Sequence, residues 1–271
     1  MTQISILGCG WLGLPLAKAL LANGFSVNGS TTSEEKLLTF ENVGIKPFLI
    51  ALESKSVSGE MESFLKDSQI LIIDIPPKLR GDSKESFIEK IITLIPYIEN
   101  STVENVIFIS STSVYGDTPP AAFEVRELTK PNPETESGKQ LLQAEQLLQN
   151  NSSFKTTALR FGGLIGENRH PIKSLAGRKN IGNPKAPINL IHQKDCIGII
   201  LKIIEKKSWN ETFNAVAPFH PSREEYYTQK AIDLNLALPE FNYELPTFGK
   251  LILSTKLETM LDYTFAITTT I

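Results

Sequence analysis

The sequence is poor in cysteine and histidine, with two of the first and three of the second among 271 residues. Cys9 and Cys196 lie far apart and fit no metal-ligand spacing, so a reducing compartment is expected and a disulfide framework is not. His170, His192 and His220 are too scattered to add a ligand cluster, and no metal is expected. No apolar run approaches the roughly 20 residues a membrane helix needs, and the start MTQISILGCG carries neither a basic leader nor a cleavage site. A cytoplasmic protein is expected. Excess positive charge is also missing. The net charge of −3 leaves no electrostatic footprint for nucleic acid or an anionic membrane.

What is present is an alternation of apolar strands and amphipathic helices. Strands are predicted at 4–7, 25–30, 47–52, 69–75, 105–110 and 156–161. Helices are predicted at 11–23, 33–40, 60–67, 84–99 and 137–150. Continuous Ile/Leu/Val strands separated by helices read as an α/β fold, a Rossmann-type doubly wound parallel sheet covered on both faces. After residue 161 the pattern loosens, with helices at 194–205 and 222–234 and short strands near 212–216 and 241–245. The expected division is a dinucleotide-binding domain over 1–161, also contributing 189–216, and a smaller, interleaved C-terminal substrate lobe over 162–271.

The first strand runs into Gly8-Cys9-Gly10-Trp11-Leu12-Gly13, a G-x-G-x-x-G at a strand–helix junction. Its glycines serve a tight turn, close approach to a pyrophosphate and helix–strand packing. The backbone N–H groups of Trp11 and Leu12 at the helix start would meet phosphate oxygens. NAD(P) is the expected cofactor. At the end of the second strand an acid would bind the adenosine ribose, yet Ser30, Thr31 and Thr32 stand there, with no acid before Glu34. NADP is therefore favoured over NAD. After the fourth strand, the backbone of Ile75-Pro76 is expected to border the cofactor.

VIFISSTSVYGD (106–117) drives a buried strand into Ser110, Ser111, Thr112 and Ser113. Ligands bind outside the carboxyl ends of such strands, so the cluster is expected to face one. The glycine loop, SSTSVYGD, LRFGGLIG (159–166) and INLIHQKD come in an order that resembles the extended short-chain dehydrogenase/reductases, the NAD-dependent epimerase/dehydratase family. WLGLPLA, ENRHP and INLIH resemble an atypical branch of it, the YeeZ-like proteins.

The resemblance implies a Rossmann-type NAD(P) domain with Ser110, Gly162, Gly163 and Leu164 beside the cofactor. It also implies Ser111 as the residue that hydrogen-bonds the substrate oxygen, with Thr112 and Ser113 on the substrate side. It further implies a homodimer through helices 84–99 and 137–150. The family's Tyr-x-x-x-Lys pair falls on Ser137 and Leu141, and no tyrosine lies between Tyr115 and Tyr226. His170, in ENRHP, is the candidate replacement acid/base, and Arg169 the candidate anchor for an anionic substrate group. His192 is expected to be structural. Two functions stay open: an oxidoreductase or epimerase/dehydratase working on a small, nucleotide-linked sugar-like substrate, and a dinucleotide sensor without catalysis.

Overall fold

The structure, a computed structural model, describes residues 2–77, 86–117 and 123–268. The chain runs β1 (Gln3–Leu7), α1 (Gly13–Ala22), β2 (Ser26–Thr31), α2 (Leu37–Glu41), β3 (Lys46–Leu49), β4 (Ala51–Leu52), β5 (Val57–Ser58), α3 (Met61–Leu65) and β6 (Ser68–Ile73). Then come α4 (Phe87–Glu99), β7 (Asn105–Ser111), β8 (Glu124–Val125), α5 (Glu136–Gln149) and β9 (Lys155–Phe161). It continues through β10 (Gly163–Ile165), α6 (Ile172–Leu175), β11 (Leu190–His192), α7 (Gln193–Lys206), β12 (Thr212–Ala215), α8 (Arg223–Asp233), β13 (Leu251–Ile252) and α9 (Thr255–Leu261).

Seven strands form the central sheet in the order β12-β9-β7-β6-β1-β2-β3, with β3, β2, β1, β6 and β7 in parallel register. The doubly wound parallel sheet expected from the alternating pattern is present. Its strand order reverses between β1 and β6, the point at which such sheets open a crevice outside their carboxyl ends. Leu71, Ile72 and Ile73 of β6 and Val106, Ile107 and Phe108 of β7 are fully buried, as strands covered on both faces require. Gly13, Leu16, Ala17 and Leu20 form the buried stripe of α1, and Phe87, Ile91, Leu94 and Ile98 that of α4. The first follows i, i+3, i+4, i+7 and the second i, i+4, i+7, i+11, both spacings of a helix lying on a core.

By compactness the chain divides into two units, each described separately. The first comprises Met1–Ser111, Thr135–Arg160 and Ile200–Thr212, and the second Thr112–Glu134, Phe161–Ile199 and Phe213–Ile271. Three of the five boundaries fall inside β9, α7 and β12, and the other two lie after β7 and before α5.

Three local expectations need correction. The strand predicted over 47–52 breaks after Leu49, and Ala51–Leu52 pairs antiparallel with Val57–Ser58 instead. That hairpin closes on Gly59 at φ +95°, where a Cβ would stand 2.0 Å from the Leu49 carbonyl oxygen. Residues 241–245 do not form a strand. Phe241 makes one bridge with Ile181, and the Asn242 side chain then accepts the Glu244 N–H at 2.7 Å, an Asx turn that bends the backbone away. The strand expected near 212–216 joins the main sheet as β12. Ile92, which the apolar stripe of the helix predicted over 84–99 would place in the core, is 52% exposed. Of the helix predicted over 84–99, residues 84 and 85 lie outside the described residues. Among the described residues, no helix is long and apolar enough to cross a membrane.

Candidate functional site

The glycine loop is a tightly constrained turn of the first unit. Gly8 stands at φ +108°, and its N–H donates to the Ser30 hydroxyl at 2.9 Å. The Cys9 N–H donates to the Ser30 carbonyl and the Gly10 N–H to the Gly8 carbonyl, both at 2.8 Å. A Cβ on Gly8 would stand 2.3 Å from the Asp74 carbonyl oxygen, and one on Gly13 2.3 Å from the Gly8 carbonyl oxygen. Packing therefore demands the first and third glycines. The second differs, because no atom lies within 4 Å of a Cβ on Gly10. Its open side adjoins the start of α1, where Leu12 supplies no side-chain cap. Helix-terminal N–H groups and the positive end of the dipole suit an anion there. The loop fits a dinucleotide pyrophosphate.

The hydroxyls at the end of β2 have divided tasks. Ser30 is 2% exposed and its oxygen holds the loop. The Thr31 hydroxyl accepts the Ser33 N–H at 3.1 Å, whereas Thr32 is exposed. Ile75 is brought against the loop, its methyl carbon 3.1 Å from the position of a Gly8 Cβ, and Pro76 follows it on the surface. Cys9 is buried, and burial first, then the charge of Asp74, pushes its thiol up to about 12. It is inert as a nucleophile near neutral pH.

The hydroxyl cluster splits at the strand end. Successive residues of β7 point to opposite faces. Ser110, 5% exposed, donates its hydroxyl to Glu145 of α5. Glu145 is also gripped by Arg160 of β9, whose Nε lies 3.1 and 3.2 Å from its two oxygens and whose terminal nitrogen lies 2.6 Å from one of them. Both charged side chains are buried. Glu145 carries a readable sequence signal, an acid within the apolar stripe of Leu141, Ala144 and Leu148. Ser111 is half-buried on the opposite face, and the first unit also holds the half-buried Ser137 and the buried Leu141 on α5.

In the second unit, Thr112 is buried and Ser113 half-buried in one 3₁₀ turn. Beyond it the Tyr115 hydroxyl donates to Asn214 at 3.0 Å, and Lys250 donates to the Tyr115 carbonyl at 2.8 Å and to the Asp117 carboxylate at 2.7 Å. Gly162 and Gly163 run alongside Asn189, with the Gly163 N–H on the Asn189 carbonyl at 2.8 Å. A Cβ on Gly162 would stand 2.6 Å from that oxygen, so these glycines serve close backbone packing, and Leu164 continues as β10. Arg169 is exposed at a tight turn closed by paired bonds with Gly166.

His170 is held at both ring nitrogens. The Ile172 N–H donates to Nδ1 at 3.1 Å, which leaves the hydrogen on Nε2, facing the Tyr226 hydroxyl at 2.7 Å. Burial, with the charges of Lys230 and Lys173, pushes its pKa down to about 4. Burial lowers His192 and His220 as well. The unfolded chain then takes up these protons first, so the stability they contribute is complete above the ordinary value of 6.5 and is lost as pH falls toward 4. The thermal midpoint is expected to drop between pH 7 and pH 5, and His170→Gln to flatten that drop. Parallel curves for variant and parent would show that His170 does not carry the effect.

No family model matches the chain. It is 35% identical over 255 residues to the Protein YeeZ of Escherichia coli (strain K12), an alignment covering 93% of this chain and 91% of that one. Among solved structures it resembles a putative NAD-dependent epimerase/dehydratase from Methylobacillus flagellatus, with 22% identity and TM-score 0.74 over 99% of this chain and 94% of the other. It also resembles a UDP-glucuronic acid 4-epimerase from Bacillus cereus in complex with NAD, with 18% identity and TM-score 0.80 over 98% of this chain and 92% of the other.

Proposed function

Because the chain belongs to the YeeZ-like branch of the NAD-dependent epimerase/dehydratase family, the extended short-chain dehydrogenase/reductases, we propose that it binds NAD(P) at its glycine loop and acts on a small substrate. A nucleotide-linked sugar or a close chemical relative is the substrate class, and the reaction is that of an oxidoreductase or epimerase/dehydratase. The observation that carries this reading is the open side of Gly10, set between two glycines that packing demands.

Bound there, the nicotinamide would take or give a hydride, so the protein itself has to hold, orient and polarise. Gly8, Gly10, Trp11, Leu12 and Gly13 hold the pyrophosphate, and Ile75 and Pro76 border it. Exposed Thr32 and Lys36, with no acid at the end of β2, favour a 2′-phosphate and hence NADP. Ser110 supports the cofactor side through Glu145, and Gly162, Gly163 and Leu164 belong to the nicotinamide end. Ser111, with Thr112 and Ser113, hydrogen-bonds the substrate oxygen, and Arg169 anchors an anionic group. As acid/base in this reading, His170 passes its proton at Nε2, the atom that now faces Tyr226.

One pair of observations favours a second reading, a dinucleotide-binding sensor. His170 is engaged at both ring nitrogens, and in this reading Ser137 and the buried Leu141 stand where the resemblance puts the catalytic pair.

The experiment is a calorimetric titration of the nucleotide-free protein with NADH, NADPH, NAD and NADP. Binding of one oxidised–reduced pair supports the proposal, and binding of none removes it. Hydride exchange with a panel of carbonyls and alcohols then separates enzyme from sensor.

A homodimer through α4 and α5 belongs to the same proposal, since Ile92 (52% exposed) and Leu147 (38%) lie on those helices. Light scattering is expected to give twice the 30.0 kDa chain mass, and a monomer at micromolar concentration would remove the dimer.

A further inference from the structure

Two buried side-chain nitrogens lack a hydrogen-bond partner among the described residues, Nε2 of Gln3 and Nε of Arg223. A carboxamide can turn its oxygen into such a place, but a guanidinium carries donors only and keeps its charge. A charged donor left buried and unsatisfied costs more than a neutral one, and each such group calls for a partner. Arg223 is the first residue of α8, in the second unit.

The first turn of α8 shows why no local group serves it. The Arg223 N–H donates to the Ala186 carbonyl at 2.9 Å and the Glu224 N–H to the Pro184 carbonyl at 3.1 Å. Ser222 and Glu225 close a capping box on each other, the Glu225 carboxylate accepting the Ser222 N–H at 3.0 Å. Glu224 accepts from Lys185 at 3.4 Å and from the Tyr243 hydroxyl. Both acids next to Arg223 in the chain are thus committed elsewhere. What Arg223 meets instead is Tyr227, one turn on, with its guanidinium carbon 6.0 Å from the ring centroid. The ring face attracts the charge but supplies no oxygen to the N–H groups.

Tyr227 is a second donor in the same condition. It is 7% exposed and fixed by edge-on packing against Tyr226 at 5.2 Å and His170 at 6.4 Å. Its hydroxyl makes no hydrogen bond among the described residues, whereas that of Tyr226 is engaged by His170. Burial pushes the Tyr227 phenol up, against the opposing charge of Arg223, so it stays a protonated donor at neutral pH. Two donors on one helical turn, one of them charged, suit an acceptor with two oxygens and a single negative charge. A carboxylate has that form, and a guanidinium fork binds it through two parallel hydrogen bonds. A phosphate dianion would bring a second negative charge beside Glu224 and Glu225. Arg223 itself is only half-buried, which leaves the pair within reach of a ligand from the surface.

We propose that Arg223 and Tyr227 form a binding site for the carboxylate of a small monoanionic ligand within the second unit. The site goes beyond the anchoring assigned to Arg169 and requires no dinucleotide at the glycine loop.

The test is calorimetry on the full chain and on Arg223→Gln and Tyr227→Phe. Each is titrated with benzoate and D-glucuronate, with their neutral counterparts benzyl alcohol and D-glucose, and with phenyl phosphate. The natural chain is expected to bind at least one carboxylate with a Kd on the order of 1 mM or tighter, and neither neutral counterpart. Each variant should weaken that binding by about tenfold or more, the loss expected for one hydrogen bond to a charged group. Tyr227→Phe removes a hydroxyl that holds nothing in the fold, so its thermal midpoint should stay within about a degree or two of the parent's. That variant keeps the test decisive if Arg223→Gln folds poorly. Binding of neither carboxylate by the natural chain overturns the site, as does binding that neither variant weakens. Tighter binding of phenyl phosphate than of benzoate overturns the assignment to a carboxylate. Failure here leaves the dinucleotide reading as it stands, because the glycine loop is titrated with different ligands.

Discussion

Gly10→Val is expected to fold like the natural chain and to lose its dinucleotide. The three glycines of the loop look equivalent as a motif, but their surroundings separate them. A side chain on Gly8 would meet the Asp74 carbonyl oxygen at 2.3 Å in a backbone conformation with φ +108°, and one on Gly13 would meet the Gly8 carbonyl oxygen at 2.3 Å. Gly8→Ala therefore adds the left-handed backbone penalty, about 1–2 kcal/mol, to an overlap costing about 1–3 kcal/mol. Gly13→Ala carries the overlap alone. Gly10→Val meets nothing within 4 Å at its Cβ, so its thermal midpoint should stay within a degree or two of the parent's, roughly the shift expected for a surface change. Its branched carbons would instead fill the space reserved for phosphate oxygens. Losing two charge-assisted bonds at about 1.5–3 kcal/mol each weakens binding by a factor on the order of a hundred or more. Calorimetry and a melting curve on the same preparation check both halves. Undiminished binding by Gly10→Val would mean that the dinucleotide does not use this loop.

The glycine loop was legible in the sequence because its motif is local, although Ser30 and Asp74, which hold it, come from elsewhere in the chain. A strand, a glycine turn and a helix within the first 23 residues fix one geometry. The parallel sheet was legible for a similar reason, since β6 and β7 are apolar on both faces over consecutive residues. What escaped depends on contacts distant in sequence. Ser110 reads as one hydroxyl among four, and only the fold brings it to Glu145, 35 positions away. His170 reads as a loop histidine beside a proline, and only α8, 56 positions on, supplies the Tyr226 hydroxyl that engages it. The strand expected at 241–245 failed because Asn242 satisfies the local backbone with its own side chain, a competition that hydrophobic patterning does not register.

Breaking the Glu145–Arg160 pair should cost more stability than any other single change considered. The two side chains are 1% and 6% exposed, so neither can recover water when the other is removed. Glu145→Ala leaves a buried guanidinium without its carboxylate, and Arg160→Met leaves a buried carboxylate whose remaining donor is the Ser110 hydroxyl. Removing one partner of a buried pair costs about 3–5 kcal/mol, a large share of the roughly 5–15 kcal/mol that holds a domain folded. The pair itself need not be strongly stabilising, because desolvating both ions offsets much of their attraction. Each single variant should therefore show a much lower urea midpoint, whereas Glu145→Leu combined with Arg160→Met should regain most of the loss. Losses that simply add in the double variant would exclude mutual neutralisation as the purpose of the pair. Ser110→Ala removes one hydrogen bond to a charged group and leaves the ions paired, so it should cost only about 1.5–3 kcal/mol. The ranking has a functional consequence, because Ser110 is tethered to α5 through Glu145 and the next residue along β7 is Ser111. A Ser110→Ala protein that keeps its dinucleotide affinity but loses turnover would place the tether in the positioning of Ser111, a task that stability alone does not reveal.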